Sequence, residues 1–498
     1  MKILSKNSFE YLLEHSISLG IELPRIYEQC AIKAFEKIKE YDLDFHKKRY
    51  IFLLNSEFTS CIGSIIAREM HFLKMPISIM LFNDSPISEL LESELSVLKK
   101  LGVDILEFNH DNNFLNSLNP DVDVLIDCMF GLDLIGEAPA FFKSTIQFLN
   151  DFSGKKIALE VPAGLESNTG LSWDETYEAS LTITFGSPKL GNLIQDGLDY
   201  CPTIENISLP LDFSVLKDSN FPLVDLVDYD LISTLYKKRK RNSHKGTYGK
   251  TIVWGGSLGM EGAPLMTSLS AFKSGSGYTE LHCFSDILPS LVGKFPEIMV
   301  KEIDEDEILG YFSLVVGPGL GNLDALKKVL LERVLLEHPG PLVVDADGIN
   351  NGIEFLKKKA RDNRVLTPHP GELAKILETS LRDIAENPIK HGIAAQKMLG
   401  GVLVMKGSST FIFTPDNVYL YPGGNSALSK GGSGDILAGI IGSLLAQGYS
   451  PSNASILGVY LHGEGAKHMS ENHSPHFISP FDILNGIDFI LKKLEDIL

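Results

Sequence analysis

Short apolar runs recur along the whole chain, with amphipathic helical stretches between them. In the first part these are Tyr50-Ile-Phe-Leu-Leu, Ile77-Ser-Ile-Met-Leu-Phe, Val122-Asp-Val-Leu-Ile and Lys156-Ile-Ala-Leu-Glu. Later come Thr251-Ile-Val-Trp, Ser313-Leu-Val-Val, Pro341-Leu-Val-Val, Arg364-Val-Leu and Val402-Leu-Val-Met. Runs that are apolar on successive residues suit strands buried on both faces, and helical crossovers on either side of a parallel sheet bury both faces. The pattern therefore predicts an α/β fold. At 498 residues the chain exceeds one ordinary core, so two doubly wound domains are expected. The rhythm lapses between about Pro210 and Arg241, which predicts domains over 1–212 and 241–498 joined by a linker over 213–240.

The formal net charge of −19 opposes nonspecific nucleic-acid binding. One basic run, Lys237-Lys238-Arg239-Lys240-Arg241, goes against it and reads as a solvated linker or a rim that attracts an anionic ligand. The chain has no uninterrupted apolar stretch of about eighteen residues, so no membrane span is expected. The start is broken by charges and lacks a signal-peptide core, which makes a cytoplasmic location the expectation. The cysteines are scattered without a CxxC pair, against a zinc site or a disulfide framework.

In the second half each apolar run ends in a loop rich in Gly, Pro or polar residues, and open α/β sheets hold ligands at the carboxyl ends of their strands. Gly431-Gly432-Ser433-Gly434-Asp435 opens an apolar helix. Free amides of such a turn, with the positive end of the helix dipole, seat a phosphoryl group. A carboxylate beside that seat accepts a proton from an attacking hydroxyl. Gly319 and Gly321 let backbone approach a ligand. Lys406, with Ser408, Ser409 and Thr410, suits nucleotide phosphate or ribose. His369, between two prolines, is held to bond a substrate, and Asp345 and Asp347 to organise Mg²⁺ through water. Each has a structural reading beside it: a glycine turn, a hairpin turn, a core histidine, turn or cap carboxylates. The chain carries no GxxxxGK[ST] pattern, which argues against a P-loop kinase.

Taken together, Ser243-His-Lys-Gly-Thr-Tyr-Gly, Gly255-Gly-Ser, Gly317-Pro-Gly-Leu-Gly, Asp345-Ala-Asp-Gly-Ile-Asn, Thr367-Pro-His-Pro-Gly-Glu, Lys406-Gly, Gly431 to Asp435 and Tyr460-Leu-His-Gly resemble the ribokinase-like dehydratase domain of the nicotinamide nucleotide repair proteins. The resemblance implies an ADP- or ATP-dependent NAD(P)H-hydrate dehydratase that phosphorylates the ring hydroxyl of hydrated NADH or NADPH and expels it as phosphate. It implies Asp435 as the base, with Gly432, Ser433 and Gly434 as the anion hole. Ala263, Gly319, His369 and Asp435 would line the substrate site, and Lys406, Gly407, Ser408, Ser409, Thr410 and Gly434 the nucleotide site. Mg²⁺ as cofactor and a homo-oligomeric form are implied as well.

Residues 1–212 resemble the Rossmann-like NAD(P)H-hydrate epimerase domain of the same proteins, through Ile126-Asp127-Cys-Met-Phe130-Gly131, Val161-Pro162-Ala-Gly164-Leu165 and Thr184-Phe185-Gly186-Ser-Pro188-Lys189-Leu-Gly191. The family's phosphate loop, GxGNNGGDG, is replaced by Asn55-Ser-Glu57-Phe58-Thr-Ser-Cys-Ile62-Gly63. Phe58 and Ile62 close backbone that must stay open, and Glu57 adds a negative charge. Glu160 and Ala163 stand where the family has Asp and Ser. Asp127 is the retained potassium ligand. The expectation is an epimerase fold whose activity is lost or nearly lost. A fully bifunctional enzyme, a ribokinase-type kinase for a small alcohol, and an N-terminal protein- or RNA-binding scaffold remain the alternatives.

Overall fold

The computed structural model describes residues 1–55, 58–82, 87–108, 117–134, 142–219 and 221–497. It divides into two compact units, Met1–Leu223 and Val224–Leu498.

The first unit carries a parallel sheet of β1 (Arg49–Leu54), β2 (Ile77–Leu81), β3 (Asp104–Glu107), β4 (Asp123–Cys128), β5 (Lys155–Leu159), β6 (Leu181–Phe185) and β7 (Ile204–Ile207), in the order β3-β2-β1-β4-β5-β6-β7. Every residue of β4 is buried, the apolar Val124-Leu-Ile126 between two carboxylates that find partners, Asp123 in Arg49 and Asp127 in backbone N–H groups. The order reverses between β1 and β4, so the segments following these two strands face one crevice.

The second unit is built on β8 (Val224–Leu226), β9 (Lys250–Trp254), β10 (Tyr278–Cys283), β11 (Met299–Glu302), β12 (Ser313–Val316), β13 (Leu342–Val344), β14 (Arg364–Leu366), β15 (Val402–Met405), β16 (Thr410–Phe413) and β17 (Val418–Tyr421). They lie in the order β8-β17-β16-β15-β14-β13-β12-β9-β10-β11. Strands from β15 back to β11 are parallel, whereas β16 runs antiparallel to both β15 and β17. Helix Ser433–Ala446, buried along most of its length, packs on this sheet, with Gly442 admitting the Val315 side chain. The expected α/β class with parallel sheets is thus present in each unit.

Residues 213–240 do not form a free linker. The units part at Leu223, and β8 pairs in parallel with β17, Val224 opposite Val418. Helix Tyr229–Leu235 buries Ile232 completely. The basic run after it is strapped to its own unit. Lys237 Nζ lies 4.6 Å from the Tyr449 ring centre and donates to the Gly448 carbonyl at 3.4 Å. Lys238 Nζ donates to the Glu495 carbonyl at 2.7 Å, and Arg239 donates to that of Gly275 at 2.9 Å while stacking on Tyr248. Glu495 lies in the last turn of helix Pro480–Ile497, and Gly448 and Gly275 directly follow the C-caps of helices Ser433–Ala446 and Gly262–Lys273, so each cation sits at a helix C-terminus, where the dipole is negative. The 14-residue helix Ser433–Ala446 puts about 20 Å between its two ends. The run therefore caps helices far from the Gly431–Asp435 turn, which corrects its reading as a ligand-gathering rim.

Candidate active site

In the second unit the strand order turns at β9, which lies between β10 and β12, and the loops after β9 and β12 meet there. Gly256 N–H donates to the Pro318 carbonyl at 2.9 Å, Gly317 N–H to that of Trp254 at 3.1 Å, and Ser257 Oγ to that of Gly319 at 2.9 Å. Gly319 has φ +65°, and a Cβ there would lie 2.5 Å from the Met260 carbonyl oxygen and 3.2 Å from the Ala263 Cβ. Gly319 and Ala263 are therefore neighbours, and only glycine fits the first of them.

Across the cleft the charges converge. Asp345, which is buried, follows β13; its Oδ1 accepts from Thr367 Oγ1 and from Lys406 Nζ, each at 2.7 Å. Ala346 takes φ +46°, a strained value for a residue with a Cβ. The kink sends Asp345 to Lys406 and Asp347 to the Gly321 N–H, 2.8 Å away. Lys406 is anchored by its own N–H to the Pro368 carbonyl at 2.9 Å, and its ammonium would sit 3.3 Å from a Cβ on Gly434. Burial works against the Lys406 charge, but Asp345, Glu372 and Asp435 outweigh it and raise its pKa. Burial pushes the Asp435 carboxyl up to about 7; Asp345 and Asp347 add to the rise and Lys406 opposes it. Burial likewise raises the Glu372 pKa. Several carboxylates thus share one cation, a hard oxygen-rich set with surplus negative charge that suits Mg²⁺.

Gly432, at φ +97°, is the N-cap of helix Ser433–Ala446, and no side chain caps that helix. Ser433 N–H donates to the Lys430 carbonyl at 3.2 Å. Among the described residues the N–H groups of Gly432, Gly434 and Asp435 have no acceptor. Of the three residues expected to supply the anion hole, Gly432 and Gly434 keep a free amide and Ser433 does not; the Asp435 amide joins them. Gly432→Ala would force a left-handed alanine, at a cost of about 1–3 kcal/mol. A denaturation midpoint lowered accordingly, with reduced turnover, is the expected result; an unchanged midpoint would contradict the geometry.

The remaining expected residues are placed less uniformly. His369, 58 % exposed at its side chain, is the N-cap of helix Pro370–Leu377; its Nδ1 accepts from the N–H groups of Gly371 at 3.0 Å and Glu372 at 3.3 Å. One ring nitrogen is therefore committed to the helix end, and the other lies 3.6 Å from Glu372 Oε1. Gly407 and Ser408 are exposed in the turn of the β15–β16 hairpin, Ser409 is buried and Thr410 opens β16. Thr367, Glu372 and His462 belong to the centre but carried no assigned role in the sequence, although all lie within quoted motifs. A separate cluster of Glu280, His282 and Glu307 has metal-ligand residue types. Lys250 and Lys301 already sit 2.8–3.2 Å from its carboxylates, so it is an ion-pair network.

In the first unit the described residues that follow β1 and β4 are tied into the core. Phe58 is buried, its ring 5.3 Å from Tyr27, 5.6 Å from Phe9 and 6.0 Å from Phe185. Thr59 and Ser60 hydroxyls both donate to the Cys128 carbonyl, at 2.9 and 2.8 Å. Asp127 is buried, and burial pushes its carboxyl up to about 7. Its Oδ1 accepts from Met129 N–H at 2.9 Å and its Oδ2 from Ala163 N–H at 2.7 Å. Glu160 and Lys189 form an ion pair with both side chains fully buried. Glu57 lies outside the described residues.

Two family models match the chain: "NAD(P)H-hydrate dehydratase" over residues 251–487 and "YjeF-related protein N-terminus" over 25–191. A bifunctional NAD(P)H-hydrate repair enzyme of Moorella thermoacetica is 31% identical over 75% of this chain and 74% of its own length. One from Dictyoglomus turgidum is 28% identical over 93% of each chain. An ADP-dependent (S)-NAD(P)H-hydrate dehydratase of Neisseria meningitidis serogroup B is 37% identical over 48% of this chain and 83% of its own length. With both halves matched, each to the domain its residues resemble, the chain belongs to the family of bifunctional NAD(P)H-hydrate repair enzymes.

Proposed function

We propose that the second unit dehydrates the S-form hydrate of NADH or NADPH at the expense of ADP or ATP. The observation that carries this reading is a carboxyl raised to about 7, Asp435, beside the unpaired amides of Gly432 and Gly434 and the Lys406 ammonium. Asp435 takes the proton of the ring hydroxyl as its oxygen attacks the terminal phosphoryl group, whose bond to the rest of the nucleotide breaks and releases AMP from ADP, or ADP from ATP. The free amides and Lys406 hold the charge that develops on the phosphoryl oxygens. Phosphate then departs with the oxygen, a ring proton is lost, and the double bond returns. Ala263, Gly319 and His369 line the hydrate, while Lys406 to Thr410 and Gly434 hold the nucleotide. Asp345, Asp347 and Glu372 are the residues that would hold Mg²⁺, which supplies charge balance. The test is to incubate the purified chain with NADH hydrate, Mg²⁺, and ADP or ATP in turn. Absorbance of NADH returning only with a nucleotide, with phosphate released, is expected; a stable phosphorylated product would indicate a small-alcohol kinase instead.

For the first unit the proposal is a retained fold with epimerisation lost or nearly lost. Phe58, standing where the family has an open glycine loop, is packed into the core against Tyr27, and both Asp127 oxygens already accept backbone N–H groups, which supports this. Full-length Asp435→Asn protein, given one pure hydrate epimer, should interconvert it no faster than buffer does. Interconversion well above that rate would restore the fully bifunctional reading.

A further inference from the structure

The segment Tyr460-Leu-His-Gly lies in helix Pro451–Ser470 and turns His462 inward. The imidazole is buried, and its Nε2 lies 3.2 Å from Ser433 Oγ. Ser433 is the first residue of the helix that begins at the phosphate-binding turn, and it is itself buried. Its backbone N–H is spent on the Lys430 carbonyl, so it is not offered to a ligand. Lys430 is tied down in turn, with Nζ donating to the carbonyls of His476 and Ile478. Ser433 is thus gripped from two sides, through its main chain by Lys430 and through its hydroxyl by His462. The amides on either side of it, Gly432 and Gly434, are the ones left without acceptors. Glycines have no side chains to fix their own peptide planes, so the orientation of those two donors depends on the residue between them.

We infer that His462 is a positioning residue for phosphoryl transfer: through the Ser433 hydroxyl it holds the Gly432 and Gly434 amides on the transferring group. The inference rests on the reading of that turn as the phosphoryl seat. Burial, with Lys406 nearby, keeps the imidazole pKa down at about 4, so one neutral ring makes this hydrogen bond across the working pH range. The groups facing it are Lys406 and Ser433. A clamp that orients donors by tenths of an ångström acts on the transition state more than on the ground state.

The test uses the full chain, with Mg²⁺, nucleotide and NADH hydrate. His462→Leu is expected to lower kcat by roughly ten- to a hundredfold, with KM for the hydrate near the parental value. His462→Gln, whose amide can donate or accept at similar reach, should recover most of the loss. Because the effect passes through one hydroxyl, Ser433→Ala should show a similar loss, and the double variant should be no worse than the poorer single. Additive losses, or failure of Gln to rescue a folded protein, would overturn the inference. So would a parental kcat in His462→Leu or in Ser433→Ala. The Ser433→Ala arm keeps the test open if the leucine variant does not fold. Asp435→Asn separates the two levels. If it is inactive while His462→Leu is parental, only the clamp fails; if it is fully active, the reading of the turn itself fails.

Discussion

An Asp435→Asn chain should regenerate NADH slower than the parent by roughly two to four powers of ten, the contribution of a positioned base. The asparagine is nearly the same shape, so folding and nucleotide binding should survive. The pH dependence sharpens the expectation. Burial first, then Asp345 and Asp347 against Lys406, raise the Asp435 carboxyl to about 7 in the free protein. Only the ionised form accepts a proton, so the parental kcat/KM should fall about tenfold per pH unit below that point and level off above it. Asp435→Asn should lack this limb. Linkage gives a second reading of the same group. Its folded pKa lies above the ordinary carboxylate value of 3.8, so its stabilising contribution is complete below about 4 and is lost as pH rises through about 7. The asparagine variant should show less of that decline in denaturation midpoint. Equal turnover in parent and variant across this range would remove Asp435 from the reaction.

Lys189→Met should produce the largest stability loss. Its ammonium and the Glu160 carboxylate are both fully buried, and the ammonium also sits 4.0 Å from the Phe9 ring centre. Removing the cation strands a carboxylate in the core, which costs about 3–5 kcal/mol. Pairing the change with Glu160→Gln removes the stranded charge and should return part of the loss. Trp173 belongs to the first unit and Trp254 to the second, so Trp173 fluorescence in a Trp254→Phe background follows the first unit alone. A parental denaturation midpoint in Lys189→Met would show that the pair contributes nothing. The same pair bears on the first unit's function, because a buried cation already neutralises the carboxylate that stands in the family's Asp position.

The strands readable in the sequence are those with several apolar residues in succession, such as Tyr50 to Leu54 and Val402–Met405. Tyr278–Cys283 does not stand out as an apolar run because Glu280 and His282 interrupt it. Those polar groups are tolerated because Lys250 and Lys301 reach Glu280 from the neighbouring strands. Val224–Leu226 was hidden for a similar reason: it is short, carries Asp225 and precedes a basic stretch. At the site, the turn from Gly431 to Asp435 was legible because its chemistry is local. The pairing of Asp345 with Lys406 joins residues 61 apart, and that of Ser433 with His462 residues 29 apart, so neither is written in any one motif. The loss of the Ser433 amide to Lys430 depends on backbone angles that residue types do not specify.

The strap of Lys237, Lys238 and Arg239 changes where this chain can be divided. A fragment trimmed to start at Arg241, where the motif resemblance begins, would leave β17 without its parallel neighbour and strip the cations from three helix tails. Two of those helices, Gly262–Lys273 and Ser433–Ala446, begin at the cleft, so the trim removes contacts at the far ends of the helices that carry Ala263 and Asp435. An autonomous second half has to begin no later than Val224.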